Sequence, residues 1–196
     1  MELLTNGVGL SVVVFFPLIS AFIITLIPKA QEQLIKGFAL VSSLITFVLS
    51  AVLLFQFDFS SADKLQLGNK ISWIKSINAN YEIGIDGISL PLLVLSTFIT
   101  VLAIIYSIEH LPEPKSPKGF LALILVLETG MNGTFVALDL ILFFVFFEIV
   151  LLPMYFMIGI WGDKTVRTVS GFKNQIETRL YALSLIHISE PTRPVP

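Results

Sequence analysis

Apolar residues occur along this chain in five long runs that are separated by polar segments. A helix that crosses about 30 Å of hydrocarbon needs roughly 20 mostly apolar residues, and each run approaches or exceeds that length. The pattern predicts five membrane-spanning helices at about residues 8–27, 34–55, 87–108, 119–137 and 140–161. Little more than Leu138 and Asp139 separates the last two, so they are predicted to form a tight antiparallel hairpin. Asp139 is expected to cap the start of the fifth helix, where a carboxylate meets the positive end of the helix dipole.

The connection between the second and third runs, residues 56–86, is long and polar. Its alternating stretches at residues 70–74 and 81–85 are compatible with a small β-hairpin, although a folded loop is the favoured interpretation. Trp73 and Tyr81 carry amphipathic rings of the kind that lies at the level of the lipid headgroups. We therefore expect a folded external loop that caps the helices.

The composition agrees with a membrane protein. Of the 196 residues, 55% are hydrophobic and 13% are charged, whereas soluble domains average about 25% charged residues. A soluble enzyme and a disordered chain are both disfavoured by these values. The formal net charge of -2 offers no argument for a nucleic-acid partner. Because the chain has no cysteine, it can form neither a disulfide nor a thiolate-bound metal or iron–sulfur site. The fold class is all-α integral membrane.

Basic residues are distributed unevenly between the two sides of the predicted bundle. One side has Lys29, Lys36, Lys115, Lys118, Lys164, Arg167, Lys173 and Arg179. The loop on the other side has Lys64, Lys70 and Lys75. Since loops rich in Lys and Arg stay in the cytoplasm, we predict that the N-terminus is outside and that the loop with Lys115 is cytoplasmic.

Two carboxylates lie inside predicted spans, Glu128 in the fourth and Glu148 in the fifth. Ionisable residues inside a membrane are costly, and they tend to face the protein interior and to mark ion or proton paths. The hairpin turn lies near residue 138, and each Glu is ten residues from it. At 1.5 Å per residue both therefore lie about 15 Å from the turn, close to the middle of the membrane.

A buried carboxyl group remains ionised beside a Lys and takes up a proton when the Lys is removed, which is a usable element of a proton pump. No Lys or Arg lies deep inside any span, so a basic partner for Glu148 must come from another segment or subunit. The alternative for either residue is a neutral Glu that hydrogen-bonds a neighbouring helix. For Glu128, Gly130 and Gly133 favour a close helix contact that shelters the side chain. Pro153 predicts a kink near Glu148.

The stretch Asp139–Trp161, DLILFFVFFEIVLLPMYFMIGIW, resembles the fifth helix of the chain M (subunit 4) family of proton-translocating NADH:quinone oxidoreductase, respiratory complex I. GIDGISLPLL at residues 84–93 and LETGMNGTFVALD at residues 127–139 are similar to the start of the family's third helix and to its fourth helix. The resemblance covers about residues 1–182 and is strongest between Tyr81 and Gly162.

The resemblance implies an antiporter-like subunit of the cytoplasmic (inner) membrane that takes part in proton translocation coupled to electron transport. The family's essential fifth-helix glutamate falls on Glu148, and its partner is a lysine of the seventh helix. Glu128 falls on a fourth-helix position that often carries a carboxylate. The implied partners are the other membrane subunits, lipid and protons. NADH, flavin, iron–sulfur clusters and quinone are implied to bind other subunits, so that this chain holds no redox centre and is inactive alone.

The family's proteins have about fourteen helices, and five are predicted here. Leu183–Arg193, LSLIHISEPTR, resembles one reading frame of an adapter used in transposase-based sequencing libraries. We therefore expect residues 183–196 to be an artefact tail that follows a truncated N-terminal transmembrane region, residues 1–182.

Other functions remain open on the sequence. They are a subunit of a multi-subunit sodium/proton antiporter, a chain of the plastoquinone-type NAD(P)H dehydrogenase, and an inert structural membrane subunit. The motif Pro-Met-Tyr-Phe at residues 153–156 favours the respiratory complex.

Overall fold

The computed structural model describes residues 8–61, 64–74, 79–111 and 117–161. The predicted artefact tail, residues 183–196, lies outside this part of the chain. Five helices are present in the described part: α1 (Val8–Leu26), α2 (Glu32–Gln56), α3 (Ser89–Glu109), α4 (Pro117–Val136) and α5 (Leu140–Trp161). A short 3-10 helix (Phe59–Ser61) and two strands, β1 (Gln66–Ile74) and β2 (Ala79–Ile85), lie between α2 and α3.

All five helices are long and apolar enough to cross a membrane. Each predicted span agrees with an observed helix to within two residues at either end. Long apolar runs predict helices because a lipid-exposed backbone must satisfy its own hydrogen bonds, and a helix does so within one segment. The prediction of an all-α membrane fold is confirmed.

Helix α4 is the centre of the bundle and α5 lies at its edge. Helix α4 contacts all four other helices. Over an apolar stretch of 18 residues, 56% of the residues of α4 are buried, whereas 17% are buried over the corresponding stretch of α5. One side of α5 is therefore open to the surroundings of this chain.

The buried apolar side chains form two clusters at opposite ends of the bundle. The hairpin-side cluster takes its helical members from all five helices and also contains Ile83 and Ile85 of β2; the helical members are Leu10, Val13, Val14, Leu53, Leu90, Leu93, Val136, Leu142 and Phe146. The distal cluster consists of Ala21, Ile24, Ile35, Ala39, Ile104, Leu121, Ala122, Ile124 and Leu125. Burial of apolar area holds each end together.

The two alternating stretches do form a β-hairpin, in which β1 and β2 pair in an antiparallel sheet. It covers one end of the bundle. The Tyr81 hydroxyl lies 2.9 Å from Ser11 Oγ of α1, and the amide of Leu138 donates to the carbonyl of Glu82 at 2.9 Å. Burial raises the pKa of Tyr81, and the hydrogen bond to Ser11 partly offsets this. The hairpin thus contacts both α1 and the turn between α4 and α5.

Asp139 begins α5 and ties it to the hairpin. Its Oδ1 accepts hydrogen bonds from the amides of Ile141 (2.8 Å) and Leu142 (3.2 Å), as an N-cap residue does. Its Oδ2 accepts a hydrogen bond from the amide of Asn80 in β2 at 3.0 Å. The Asn80 amide, together with the amides of the helix start, lowers the pKa of Asp139 below its usual value. The predicted capping role of Asp139 is confirmed.

Asp86 performs the same task at the start of α3. Its Oδ1 accepts hydrogen bonds from the amides of Ser89 (2.7 Å) and Ile88 (3.0 Å). The Ser89 hydroxyl in turn accepts a hydrogen bond from the Asp86 amide at 2.9 Å. These amide donors, Ser89 first, lower the pKa of Asp86. The reciprocal bonds satisfy donors that the first turn of a helix leaves free.

The two oxygens of Asp139 predict separate effects for two substitutions. Asp139→Ala removes the cap and the bond to Asn80, and we expect it to lower the thermal unfolding midpoint of the protein in detergent at neutral pH. Asp139→Asn keeps an oxygen that can cap the helix, so we expect a smaller loss. Because the folded-state pKa of Asp139 is lowered, its stabilisation is complete above the ordinary pKa and is lost as the pH falls through the folded-state pKa. The Asn variant should lack that part of the acid dependence. Equal midpoints for all three proteins would contradict this role.

Candidate functional site

Glu128 lies inside the bundle on the central helix, α4. It is fully buried, at 0% exposure. Neither carboxyl oxygen has a hydrogen-bond partner among the described residues. Asn132, one turn further along α4, is equally buried, and its side-chain amide is also without a partner in that part of the chain. The two polar groups therefore form one unpaired patch on α4.

The position of Glu128 along α4 is close to the middle of the span. It lies eleven residues after Pro117 and eight residues before Val136. At 1.5 Å per residue these separations correspond to about 16 Å and 12 Å. A charge on Glu128 would have no compensating partner at this depth. Burying an ion without a partner is strongly unfavourable.

Glu148 has different surroundings. It is exposed and lines an open groove. The other residues of the groove are Val126 of α4 and Ile141, Phe144, Val145, Ile149, Leu152 and Pro153 of α5. Pro153 has no amide hydrogen, so it leaves the carbonyl of Ile149, next to Glu148, without its usual helical donor. A carboxyl group and an accepting carbonyl thus lie together beside this groove.

The two glycines predicted to make a close helix contact do so, and the partner is α5. A Cβ atom on Gly130 would lie 2.7 Å from Val150 Cγ2 and 2.9 Å from the Val150 amide nitrogen. A Cβ atom on Gly133 would collide with the ring of Phe146. Since Gly130 is level with residues 146–150, Glu128 and Glu148 lie at similar depth, as the distance from the turn predicts.

The two carboxylates nevertheless point away from the α4–α5 contact on opposite sides. A helix turns by about 100° per residue. Glu128 is two residues from Gly130, so it lies about 200° around α4 from the contact. Glu148 is two residues from both Phe146 and Val150, which places it on the far side of α5. The structure brings the two residues to one depth but not to one site.

A basic partner for either carboxylate is not found deep in the described helices. Helices α1, α3 and α5 contain no Lys or Arg, and Lys36 and Lys118 lie near the first turns of α2 and α4. Lys118 Nζ donates to the carbonyl of Ile27 at 2.7 Å, beyond the end of α1. In the part of the chain that the structure describes, no group of three His, Asp or Glu side chains is placed to hold a metal ion.

Asn132 is a site residue that the sequence reasoning did not identify. A signal was available, since Asn132 follows Glu128 by four residues and such residues share a helix face. A polar residue inside an apolar span is expensive in the same way as a charged one. Chemically, Glu128 and Asn132 offer oxygen acceptors and amide donors inside the bundle, whereas Glu148 offers a proton-exchanging group at its edge.

The α4–α5 contact predicts that enlarging Gly130 is harmful. Gly130→Ala places a methyl group against the backbone of Val150, which cannot move away as a flexible side chain would. We expect a loss of about 1–3 kcal/mol, as for overpacked cores, seen as a lower thermal unfolding midpoint in detergent. Gly37→Ala in α2 is the matched control, because its Cβ meets no atom within 4 Å and Ala is the better helix former by about 0.5–1 kcal/mol. A Gly130→Ala protein as stable as the Gly37→Ala protein would refute the contact.

Two family models match the chain. The model described as NADH-ubiquinone oxidoreductase chain 4, amino terminus, matches residues 12–134. The model described as NADH:quinone oxidoreductase/Mrp antiporter, TM, matches residues 137–187. The second match covers α5 with Glu148 and extends into the predicted artefact tail, so the tail's boundary stays a prediction.

Individual relatives carry related names. The chain is 34% identical over 178 residues to NADH-ubiquinone oxidoreductase chain 4 of Marchantia polymorpha, which covers 91% of this chain and 35% of that protein. It is 36% identical over 156 residues to NAD(P)H-quinone oxidoreductase chain 4 of Prochlorococcus marinus strain NATL2A, and the matched region covers 79% of this chain and 28% of that protein. It is 34% identical over 176 residues to F(420)H(2) dehydrogenase subunit M of Methanosarcina mazei, and the matched region covers 90% of this chain and 34% of that protein.

The chain therefore spans about a third of the length of the curated relatives it matches. The family model for the amino terminus covers more than half of this chain, and its match includes Glu128 and the helices around it. The chain belongs to the NADH-ubiquinone oxidoreductase chain 4 family.

Proposed function

We propose that this chain forms five of the helices of a membrane subunit of NADH:quinone oxidoreductase and takes part in proton translocation coupled to electron transport. The observation that carries the proposal is the pair of carboxylates at mid-span on neighbouring helices, without a basic partner deep in the described helices. Membrane-embedded carboxylates are the groups that proton pathways use. The relatives' names supply the electron-transfer complex.

Glu148 is the stronger proton-carrying residue in this proposal. It lies on the open side of α5, where a segment from outside the described chain can approach it. A lysine brought to this groove stabilises the carboxylate, and its withdrawal favours the protonated acid. Alternation between these two arrangements moves one proton on and off Glu148.

Glu128 has the weaker role. It faces away from α5, so a proton cannot pass directly between the two carboxyl groups. Its burial inside α1–α4 supports a function in setting the protonation and polarity of the bundle rather than in the main transfer step.

The redox chemistry belongs to other subunits in this proposal. NADH, flavin, iron–sulfur clusters and quinone bind elsewhere in the complex, and this chain contributes no redox centre and has no activity alone. The absence of cysteine from the sequence supports this for iron–sulfur clusters, which are held by thiolates. The partners are other membrane subunits, lipid and protons, and no nucleic acid.

A sodium/proton antiporter subunit is the main alternative. The family description that matches residues 137–187 names both kinds of protein and does not separate them. The description that matches residues 12–134 names the oxidoreductase alone, and this favours the proposal.

Glu148→Gln in the full-length subunit of the assembled complex tests the main role. Gln keeps the shape of the side chain but cannot carry a proton. Since a positioned proton-transfer group contributes a factor of about 10²–10⁴, we expect NADH-driven proton uptake by inverted membrane vesicles to fall by roughly tenfold or more. Quinone reduction should fall with it because the two processes are coupled. Glu128→Gln should have a smaller effect.

Glu109→Gln, at the exposed end of α3, is the control and should behave as the unmodified protein. Undiminished proton uptake and quinone reduction in Glu148→Gln would refute the proton-path role. An equal loss in Glu128→Gln would show that the two carboxylates are ranked wrongly.

We also propose that the protein is a multi-pass protein of the cytoplasmic membrane with its N-terminus and β-hairpin outside. The uneven distribution of Lys and Arg supports this orientation. The end of the bundle that carries Lys29 and Lys118 is then cytoplasmic.

Single cysteines test the orientation cleanly, because the chain has none of its own. Ser72→Cys places a thiol on an exposed position of β1, and Gln33→Cys places one in the exposed first turn of α2 at the opposite end of the bundle. In intact cells we expect an impermeant maleimide to label the first and not the second, with equal labelling after permeabilisation. The reverse pattern would invert the proposed topology.

A further inference from the structure

A layer of buried polar side chains separates the two apolar clusters. On α2, the distal cluster contains Ile35 and Ala39 and the hairpin-side cluster contains Leu53. The buried residues between them are all hydroxylic. Helix α4 shows the same order, and on α3 the buried residues Ser96, Thr97 and Thr100 lie between Leu93 and Ile104. We call this set the polar layer: Ser42, Ser43, Thr46 and Ser50 of α2, Ser96, Thr97 and Thr100 of α3, and Glu128, Thr129 and Asn132 of α4.

The layer is continuous between α2 and α3. Ser50 Oγ and Thr97 Oγ1 lie 2.8 Å apart in a buried hydrogen bond across the two helices. This contact places Thr46 and Ser50 of α2 level with the polar segment of α3, and Ser42 lies about 12 Å from Ser50 along α2.

Helix α4 turns its polar patch towards this pair. Leu121, Leu125, Glu128 and Asn132 recur at spacings of three and four residues, so they lie on one face of the helix. Leu121 and Leu125 belong to the distal cluster together with residues of α1, α2 and α3. Glu128 and Asn132 continue that face by one and two turns, into the level of the layer.

Several polar atoms of the layer have no hydrogen-bond partner among the described residues. They are Ser42 Oγ, Ser96 Oγ, both carboxyl oxygens of Glu128 and both amide atoms of Asn132. The other hydroxyls are satisfied by their own helices. Thr46 donates to the carbonyl of Ser42, and Thr100 to that of Ser96. Buried polar groups in proteins almost always have partners, supplied by protein or by ordered water.

We propose that the polar layer is an internal water-binding site between α2, α3 and α4. A buried water makes about three hydrogen bonds to polar groups that would otherwise be unsatisfied. Glu128 and Asn132 of α4 supply both donors and acceptors for it. Ser42 of α2 and Ser96 of α3 lie about 13 Å apart along the bundle axis, so they are partners for different waters. The apolar clusters close the site at both ends, which separates it from bulk water.

This site is distinct from the groove of Glu148. The contact of Gly130 and Gly133 with α5 lies between the two carboxylates. Water in the layer gives Glu128 a local partner for proton exchange that does not involve Glu148. The inference rests on the polar layer alone and holds whether or not the chain translocates protons.

Radiolytic hydroxyl labelling of the assembled complex in nanodiscs tests the proposal, because radicals formed from a bound water modify the side chains beside it. The reporter is Leu125, which precedes Glu128 by one turn and is 0% exposed. Leu10 is the matched control, since it is 1% exposed and lies in the hairpin-side cluster. After full equilibration of the complex in ¹⁸O-water, we expect several-fold more ¹⁸O incorporation at Leu125 than at Leu10. Equal incorporation would overturn the proposal, and this comparison needs no variant.

A substitution assigns the signal to the layer. Asn132→Leu removes one wall of polar groups, and we expect it to reduce labelling of Leu125 to the level of Leu10. Thr134→Val is the control, because the Thr134 hydroxyl bonds only its own helix, to the carbonyl of Met131. Unchanged labelling of Leu125 in Asn132→Leu would place the water elsewhere and overturn the assignment. If Asn132→Leu does not assemble, Ser42→Ala takes its place with the same expectation, since Ser42 is three residues from Ala39, which shares the distal cluster with Leu125.

Discussion

The close approach of α4 and α5 is the constraint on which the arrangement of the site depends. Gly130 and Gly133 have no side chains, and the volume that they leave is occupied by Val150 and Phe146. This contact sets the rotation of both helices about their axes. Each carboxylate lies two residues from a contact residue of its own helix, so both are turned away from the contact. One carboxyl group consequently enters the bundle and the other faces its edge.

The β-hairpin determines the level at which that contact forms. It is joined to the turn between α4 and α5 by the hydrogen bond from Leu138 to Glu82 and by the bond from Asn80 to Asp139. The Tyr81 hydroxyl adds a link to α1. Because the same Asp139 carboxylate caps α5, the hairpin and the first turn of that helix are positioned by one side chain. An irregular loop without this pairing would leave the depth of α5 less constrained.

The interior of the bundle combines two different stabilising environments. Apolar clusters hold its two ends, and hydroxyl, amide and carboxyl groups occupy the level between them. Polar contacts between membrane helices contribute modestly when satisfied, and an unsatisfied polar group in the membrane is costly. The polar layer is therefore difficult to explain as packing alone, whereas it is well suited to holding water beside Glu128. The groove of Glu148 has neither this enclosure nor this set of partners.

The sequence by itself determined the five spans, the cap at Asp139 and the depth of Glu128 and Glu148. These features depend on local rules, namely the length of apolar runs, the preferences of helix ends and the rise per residue. The direction of each carboxylate was decided only by the tertiary structure, because it depends on which face of α4 meets α5 and which meets α2 and α3. The partnership of Asn132 with Glu128 was visible in their spacing, but its significance was not. The polar layer is assembled from residues 42–50, 96–100 and 128–132 of the chain, and only packing brings these separate segments together.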